Sequence, residues 1–343
     1  MRLILLAAIA LASCATTSDA PAPFANPVID SDFPDPAILR ASDGFYYAYA
    51  TQTERDGHWI NLQVARSRDL VAWEDLGDAL PAKPGWANRT QDFWAPHVSQ
   101  HGGRYYLYYS AKPDDAVGDP LKGLCLAVAI SDRPEGPFTD MGRPLQCGAG
   151  FVNIDPMAYD DPATGKRLLY WGSGFGPIKV RELAPDRLSF APGSRPVDLV
   201  DAAAKTDYRH LVEGVWIVRR GGWYYLFYSG DNCCGEGAHY AVMVARSRGA
   251  TGPFETRHGT ILERRGTWLA PGHNSVIEDA SGGNWIVYHA VDTNRPRTRP
   301  SDGINTRRVM LIDRIVWKDG WPSVQGPTEG PQPRPLPKRR GAR

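Results

Sequence analysis

Residues Glu213 to Gly230 read EGVWIVRRGGWYYLFYSG. The stretch holds a carboxylate, an apolar run from Val215 to Val218, two turn glycines and a second run from Trp223 to Tyr228. β-Branched and aromatic runs on either side of a Gly-Gly pair are the sequence form of a β-hairpin. The hairpin recurs as DGFYYAYAT from Asp43, GGRYYLYYS from Gly102, GKRLLYWGS from Gly165 and GGNWIVYHA from Gly282. With Gly44, Gly103, Gly165, Gly222 and Gly283 as turn markers, the copies stand 59, 62, 57 and 61 residues apart. Further short strand patterns follow, as in LCLAVAISD before GPFTDMG and YAVMVARS before GPFETRH. Four strands per repeat, five repeats and almost no helical periodicity predict an all-β, single-domain, five-bladed β-propeller, whose radial repetition leaves only short, protected edges. A two-sheet sandwich would not explain the period.

The start of each blade's first strand carries the functional signal. Counting back eight to ten residues from each turn glycine reaches Asp35 in FPDPAIL, Ala95 in FWAPHV, Asp155 in VNIDPMA, Glu213 in VEGVWI and His273 in PGHNSV. Equivalent positions of a propeller lie on a ring around its axis, so three carboxylates and a histidine are expected to share one mouth of the central channel. A single Asp before Pro reads most simply as a turn residue. Turn chemistry gives no reason for Asp, Asp, Glu and His at one repeated place.

Net charge is +1, from 39 basic and 38 acidic residues, which leaves no nucleic-acid footprint and suits a neutral ligand. Arg2 followed by the apolar run Leu3 to Ala12 is too short to span a bilayer and fits a signal-peptide core over residues 1–13. The run ends in Leu11-Ala12-Ser13-Cys14, which resembles a bacterial lipobox; lipid on Cys14 would be the sole link to a membrane. A plain secretory peptide is the other reading, and both export the chain, to the outer membrane or cell surface or else to the periplasm or medium. Residues 14–25 read as a small, polar, Pro-containing tether, 26–330 as the propeller, and the basic, Pro-rich 331–343 as a disordered tail. Cys125 and Cys147 have the setting for a bridge in an oxidising compartment. The vicinal pair Cys233-Cys234 is expected to shape a loop near the channel mouth, with no redox role.

The motifs NPVIDSDFPDPAIL, FWAPHV, VNIDPM, EGVW, PGHNS and RRVMLIDRIVWKDGWP together resemble glycoside hydrolase family 43, the arabinanases, α-L-arabinofuranosidases and β-xylosidases. The resemblance runs from Asn26 to about Gly330. It implies Asp35 as general base, Glu213 as general acid and Asp155 as the carboxylate that tunes and orients the acid. An inverting glycosidase needs its base and acid roughly 6.5–9.5 Å apart, with room for the attacking water. The resemblance further implies Arg308 as a sugar- or carboxylate-binding arginine, and His273 as an axial residue beside a water or a structural calcium; no cofactor is required. Trp94 and Phe33 are candidate sugar-stacking faces, and Asn153 joins the substrate-binding set.

The expected substrate is an oligosaccharide from arabinan or arabinoxylan, cut by a monomeric hydrolase. A β-xylosidase of the same family and a non-catalytic carbohydrate-binding propeller are the alternatives. Many family members carry Pro where this chain has Val215. No β-sandwich domain follows the propeller in this sequence.

Overall fold

A computed structural model describes residues 22–119, 121–172, 174–203, 208–298 and 306–337. Its main architecture is five antiparallel sheets whose strands pair in chain order, with a small hairpin, Thr53–Arg55 and His58–Ile60, inserted in the first. The first is Ala37–Arg40, Tyr46–Ala50, Gln63–Ser67 and Trp73–Asp78. The second is Phe93–His101, Arg104–Ala111, Cys125–Ser131 and Thr139–Asp140. The third runs from Met157–Asp160 through Arg167–Trp171 and Ile178–Glu182 to Val197–Val200. The fourth is Val212–Arg220, Trp223–Gly230, Ala241–Ser247 and Glu255–Thr256. The fifth is Trp268–Glu278, Asn284–Asp292, Arg308–Lys318 and Trp321–Val324. The first strand of each blade touches the first strands of both neighbours, so these five strands close around the axis.

Each repeated hairpin folds for the reason its sequence predicts. Gly221 and Gly222 sit at φ of 56° and 76°, the positive values a tight turn between twisted strands requires. The aromatic second strands fill the space between blades: Tyr47, Tyr49, Tyr108, Tyr109, Tyr170, Tyr228 and Tyr288 are all buried. Several of their hydroxyls reach across to other segments, Tyr49 to the Pro134 carbonyl and Tyr170 to the Ala250 carbonyl. A buried phenol needs such a partner, and here the partner ties blade to blade.

The two ends of the chain meet. Phe24 is buried and pairs with Gln332, Val28 and Ile29 run against Met310, and the Asn26 side chain exchanges two hydrogen bonds with Ile312. The ordered fold therefore begins before Asn26, inside the segment expected to be a tether. The tail is corrected in the same way as far as Pro337: Gln332 is buried, Arg334 reaches Asp69 and the Ala22 carbonyl, and the Leu336 N–H donates to Asp279. Composition predicts disorder there, but specific partners outweigh it. The signal-peptide and lipobox segment lies outside the described residues, as does 338–343. Cys125 and Cys147 form a disulfide between directly opposed strand positions.

Candidate active site

A backbone device repeated in every blade builds the site. Asp35, Ala95, Asp155, Gly214 and His273 all adopt left-handed φ, of 58°, 46°, 57°, 60° and 46°. Four of the five lack the glycine that makes this conformation easy, at a cost of about 1–2 kcal/mol each. In blades two, four and five a β-bulge accompanies the turn, and such bulges re-aim side chains. The device also corrects the sequence alignment: the equivalent of Asp35 in blade four is Gly214, and Glu213 stands one residue earlier, in the place held by Trp94 in blade two. Glu213 pairs with Ser229 across its hairpin as Trp94 pairs with Ser110.

Blade-to-blade hydrogen bonds hold these turns. The Asp35 N–H donates to His289 Nδ1 at 3.0 Å, Ala95 to Thr51 Oγ1 at 2.8 Å, Asp155 to Ser110 Oγ at 3.2 Å and His273 to Ser229 Oγ at 2.8 Å. Thr51, Ser110, Ser229 and His289 occupy one repeated place at the end of the aromatic strand. In blade three that place is Gly172, which has no side chain to offer. There the Asp155 carboxylate substitutes, accepting the Gly214 N–H at Oδ2 over 3.0 Å. Asp155 is thereby fixed against the peptide that carries Glu213.

Asp35, Asp155, Glu213, His273, Trp94 and Arg308 line one cavity of about 460 Å³, within the range of small-molecule sites (roughly 300–1,000 Å³). The three carboxylate residues are 8%, 7% and 8% exposed, so water screens their charges little. Asp35 accepts from Thr51 Oγ1 at 2.6 Å and from Arg308 Nη1 at 2.9 Å. Burial opposes ionisation of Asp35, yet the Arg308 guanidinium beside it holds its carboxyl well below the usual range. Asp155 moves the other way: burial, then the charges of Glu213 and Asp35, push it well above the usual carboxylate value. Asp35 is thus the carboxyl held in its charged form, and Asp155 the one held toward its neutral form.

His289 accepts the Asp35 N–H through Nδ1, so its proton sits on Nε2 and the ring is neutral; burial pushes its pKa down to about 4. His273 lies with Nδ1 3.5 Å from Asp35 Oδ1 and 3.8 Å from Asp155 Oδ2, and burial lowers its pKa too. Calcium takes six to eight oxygen ligands. Among the described residues no group of three or more His, Cys, Asp or Glu converges as a metal would need.

Two substrate-binding expectations are corrected. Phe33 is 2% exposed, packs in the core with Ile38, Val287 and Met310, and does not line the cavity. Asn153 is also buried off the cavity, where its Oδ1 accepts from Gln146. The aromatic wall is instead Phe151, Phe175 and His210, with ring centroids 5.6 Å and 5.2 Å apart in sequence along the cluster. Cys233 and Cys234 are disulfide-bonded and form part of the same wall, at the channel mouth where the loop was expected. Arg307 pairs with Asp30 outside the cavity, leaving Arg308 as the arginine of the site. Thr51 and Tyr240, which donates to Glu213 Oε1 at 2.8 Å, were missed by motif reading. The repeated hydroxyl at the end of the aromatic strand was the signal for Thr51; Tyr240 opens the YAVMVARS strand pattern, which by itself marks no residue for the site.

Comparison with known proteins converges on one group. Residues 24–322 match the model of the glycosyl hydrolases family 43. A probable arabinan endo-1,5-α-L-arabinosidase A of Aspergillus flavus is 30% identical over 309 residues, covering 84% of this chain and 90% of that protein. An extracellular endo-α-(1→5)-L-arabinanase 1 of Bacillus subtilis is 28% identical over 307 residues, covering 84% and 86%. The solved structure of Cellvibrio cellulosa α-L-arabinanase complexed with arabinohexaose superposes with a TM-score of 0.69 at 25% identity, covering 86% of this chain and 95% of that one.

Proposed function

The chain belongs to the glycosyl hydrolases of family 43, and from that premise we propose that it is an inverting hydrolase of arabinose-containing cell-wall polysaccharide, arabinan first. One observation carries the reading: a single cavity joins an ion-paired carboxylate, Asp35, to two further buried carboxyl groups, Asp155 and Glu213. Asp35, ionised, takes a proton from water as the water oxygen bonds to the anomeric carbon. The glycosidic C–O bond breaks, and the leaving oxygen takes the proton of Glu213. Solvent then returns Asp35 and Glu213 to their starting states. Asp155 orients the acid through the Gly214 N–H, and burial together with the charges of Glu213 and Asp35 disfavours its own ionisation. Arg308 holds the base and faces the sugar, and Trp94 offers a stacking face.

The arabinanase names of the relatives and the arabinohexaose in the Cellvibrio structure support arabinan over xylan. The Leu11-Ala12-Ser13-Cys14 motif supports export with a lipid on Cys14, and the Bacillus relative is named extracellular. The working unit in this reading is a monomer. Purified protein lacking its first fourteen residues is to be incubated with linear arabinan, branched arabinan and xylo-oligosaccharides. Proton NMR of the first-formed anomer then follows the stereochemistry. Arabinose alone would mark exo action and a ladder of arabino-oligosaccharides endo action. Xylose alone would replace the substrate with that of a β-xylosidase, retention would remove the water-activating base, and no release would leave a binding propeller.

A further inference from the structure

We propose that Tyr240 is a positioning residue for the general acid, its hydroxyl holding Glu213 Oε1 as an acceptor so that the transferable proton rides on Oε2. The proposal rests on the reading of Glu213 as the acid. The Tyr240 hydroxyl stands 2.8 Å from Oε1 in a site where the tyrosine is 1% exposed. Toward a carboxylate, or toward the carbonyl oxygen of a carboxylic acid, a phenol is the donor. The bond therefore survives the proton transfer in both directions, and Oε1 is not free to take the proton. Burial, then Glu213 and Asp155, hold the phenol well above its ordinary pKa, so it keeps its own proton.

The fold makes room for this contact in a specific way. Gly272 holds in blade five the place that Glu213 holds in blade four: Gly272 pairs with His289 as Glu213 pairs with Ser229. A Cβ on Gly272 would stand 2.0 Å from Tyr240 Cδ1. Blade five thus has no side chain at this place, and the Tyr240 ring occupies the space. His289, the partner of Gly272 across the strands, stacks with the ring at 5.8 Å and 13°. His289 accepts the Asp35 N–H, so one buried line of contacts runs from acid to base, Glu213 to Tyr240 to His289 to Asp35.

Tyr240→Phe keeps the ring, the stack and the glycine contact and removes the hydroxyl alone. Activity is to be measured on a series of aryl α-L-arabinofuranosides from poor to good leaving groups, with Glu213→Ala as reference and thermal melting as a control. The expected loss is about 10- to 100-fold on poor leaving groups, a fraction of what a general acid supplies, and under about threefold on good ones. Gly272→Ala, which displaces the ring but keeps the hydroxyl, is expected to steepen the leaving-group dependence in the same sense. Equal loss across the series, or no loss, in Tyr240→Phe while Glu213→Ala remains steep overturns the positioning role. A flat series for Glu213→Ala itself would overturn the acid assignment, and with it this proposal.

Discussion

Blades two and four have the same frame and different chemistry. Each begins with a long first strand, takes a bulge and a left-handed turn in its first residues, and pairs that place with a serine, Ser110 or Ser229. In blade two the two residues at the turn are Trp94 and Ala95; in blade four they are Glu213 and Gly214. The backbone thus delivers a side chain to the channel mouth in both, an indole in one and a carboxyl in the other. The N–H of the turn differs as well. Ala95 is held by the neutral Thr51 hydroxyl, whereas Gly214 is held by the Asp155 carboxylate, because Gly172 leaves the hydroxyl place of blade three empty. One missing side chain lets a carboxylate of blade three hold the peptide next to Glu213.

The sharpest test sets Glu213 against Trp94. Glu213→Ala is expected to lower kcat on arabinan by about 10²–10⁴-fold and to leave substrates with good leaving groups much less affected, since these need little protonation. Trp94→Ala, at the same place of its hairpin, is expected to raise KM with no leaving-group dependence. Asp35→Ala should match or exceed the Glu213 loss on every substrate, because water is no longer activated. Leaving-group dependence in the Trp94 variant would break the comparison, and substantial residual turnover in the Asp35 variant would move the base elsewhere.

A second test concerns the carboxylate that blade three supplies. The folded pKa of Asp155 lies above its unfolded value, so the folded state binds that proton more tightly. The stability this supplies is present in full below the unfolded pKa and is lost as pH rises through the folded one. Asp155→Asn keeps an acceptor for the Gly214 N–H and removes the charge. At neutral pH the variant is expected to melt about 2–4 °C above the parent, while its turnover on arabinan falls. The stability gain should shrink as pH is lowered toward the ordinary Asp range. A lower melting temperature at neutral pH would show that the carboxylate stabilises the fold and that its raised pKa is misread.

The hairpin period was legible because turn glycines and aromatic strands repeat where every blade needs them. The acidic ring was legible to within one residue: a bulge adds a residue that counting cannot see, so Glu213 was aligned with Asp35 although Gly214 is its equivalent. Phe33 looked like a stacking face because it lies two residues before Asp35, but its N–H binds the Arg308 carbonyl and its ring turns into the core. Tyr240 and Phe175 were beyond reach for a different reason. They lie outside the repeated hairpin: Tyr240 reaches Glu213 from the residue before the third strand of the same blade, and Phe175 reaches the cavity from a loop of blade three.

The smallest expected effect isolates the shared frame from the chemistry. Ala95 pays about 1–2 kcal/mol for its left-handed φ of 46°, and nothing in the cavity uses its methyl group. Ala95→Gly removes that strain and adds about 0.5–1 kcal/mol of unfolded-state entropy, for a net gain of about 0.5 kcal/mol with activity unchanged. The reverse change in blade four has the opposite sign. Gly214→Ala places a Cβ at φ 60°, 3.3 Å from His273 Cα, Cγ and Nδ1, so the new methyl meets both an unfavourable backbone and a packed ring. A loss of about 1–2 kcal/mol is expected, together with lower turnover, because the peptide that moves carries Glu213 and binds Asp155. Melting curves and arabinan turnover of the two single variants decide the matter. Equal and opposite stability changes without loss of turnover in blade four would mean that the turn serves the frame alone; loss of turnover confined to Gly214→Ala would mean that blade four has made the same turn part of its chemistry.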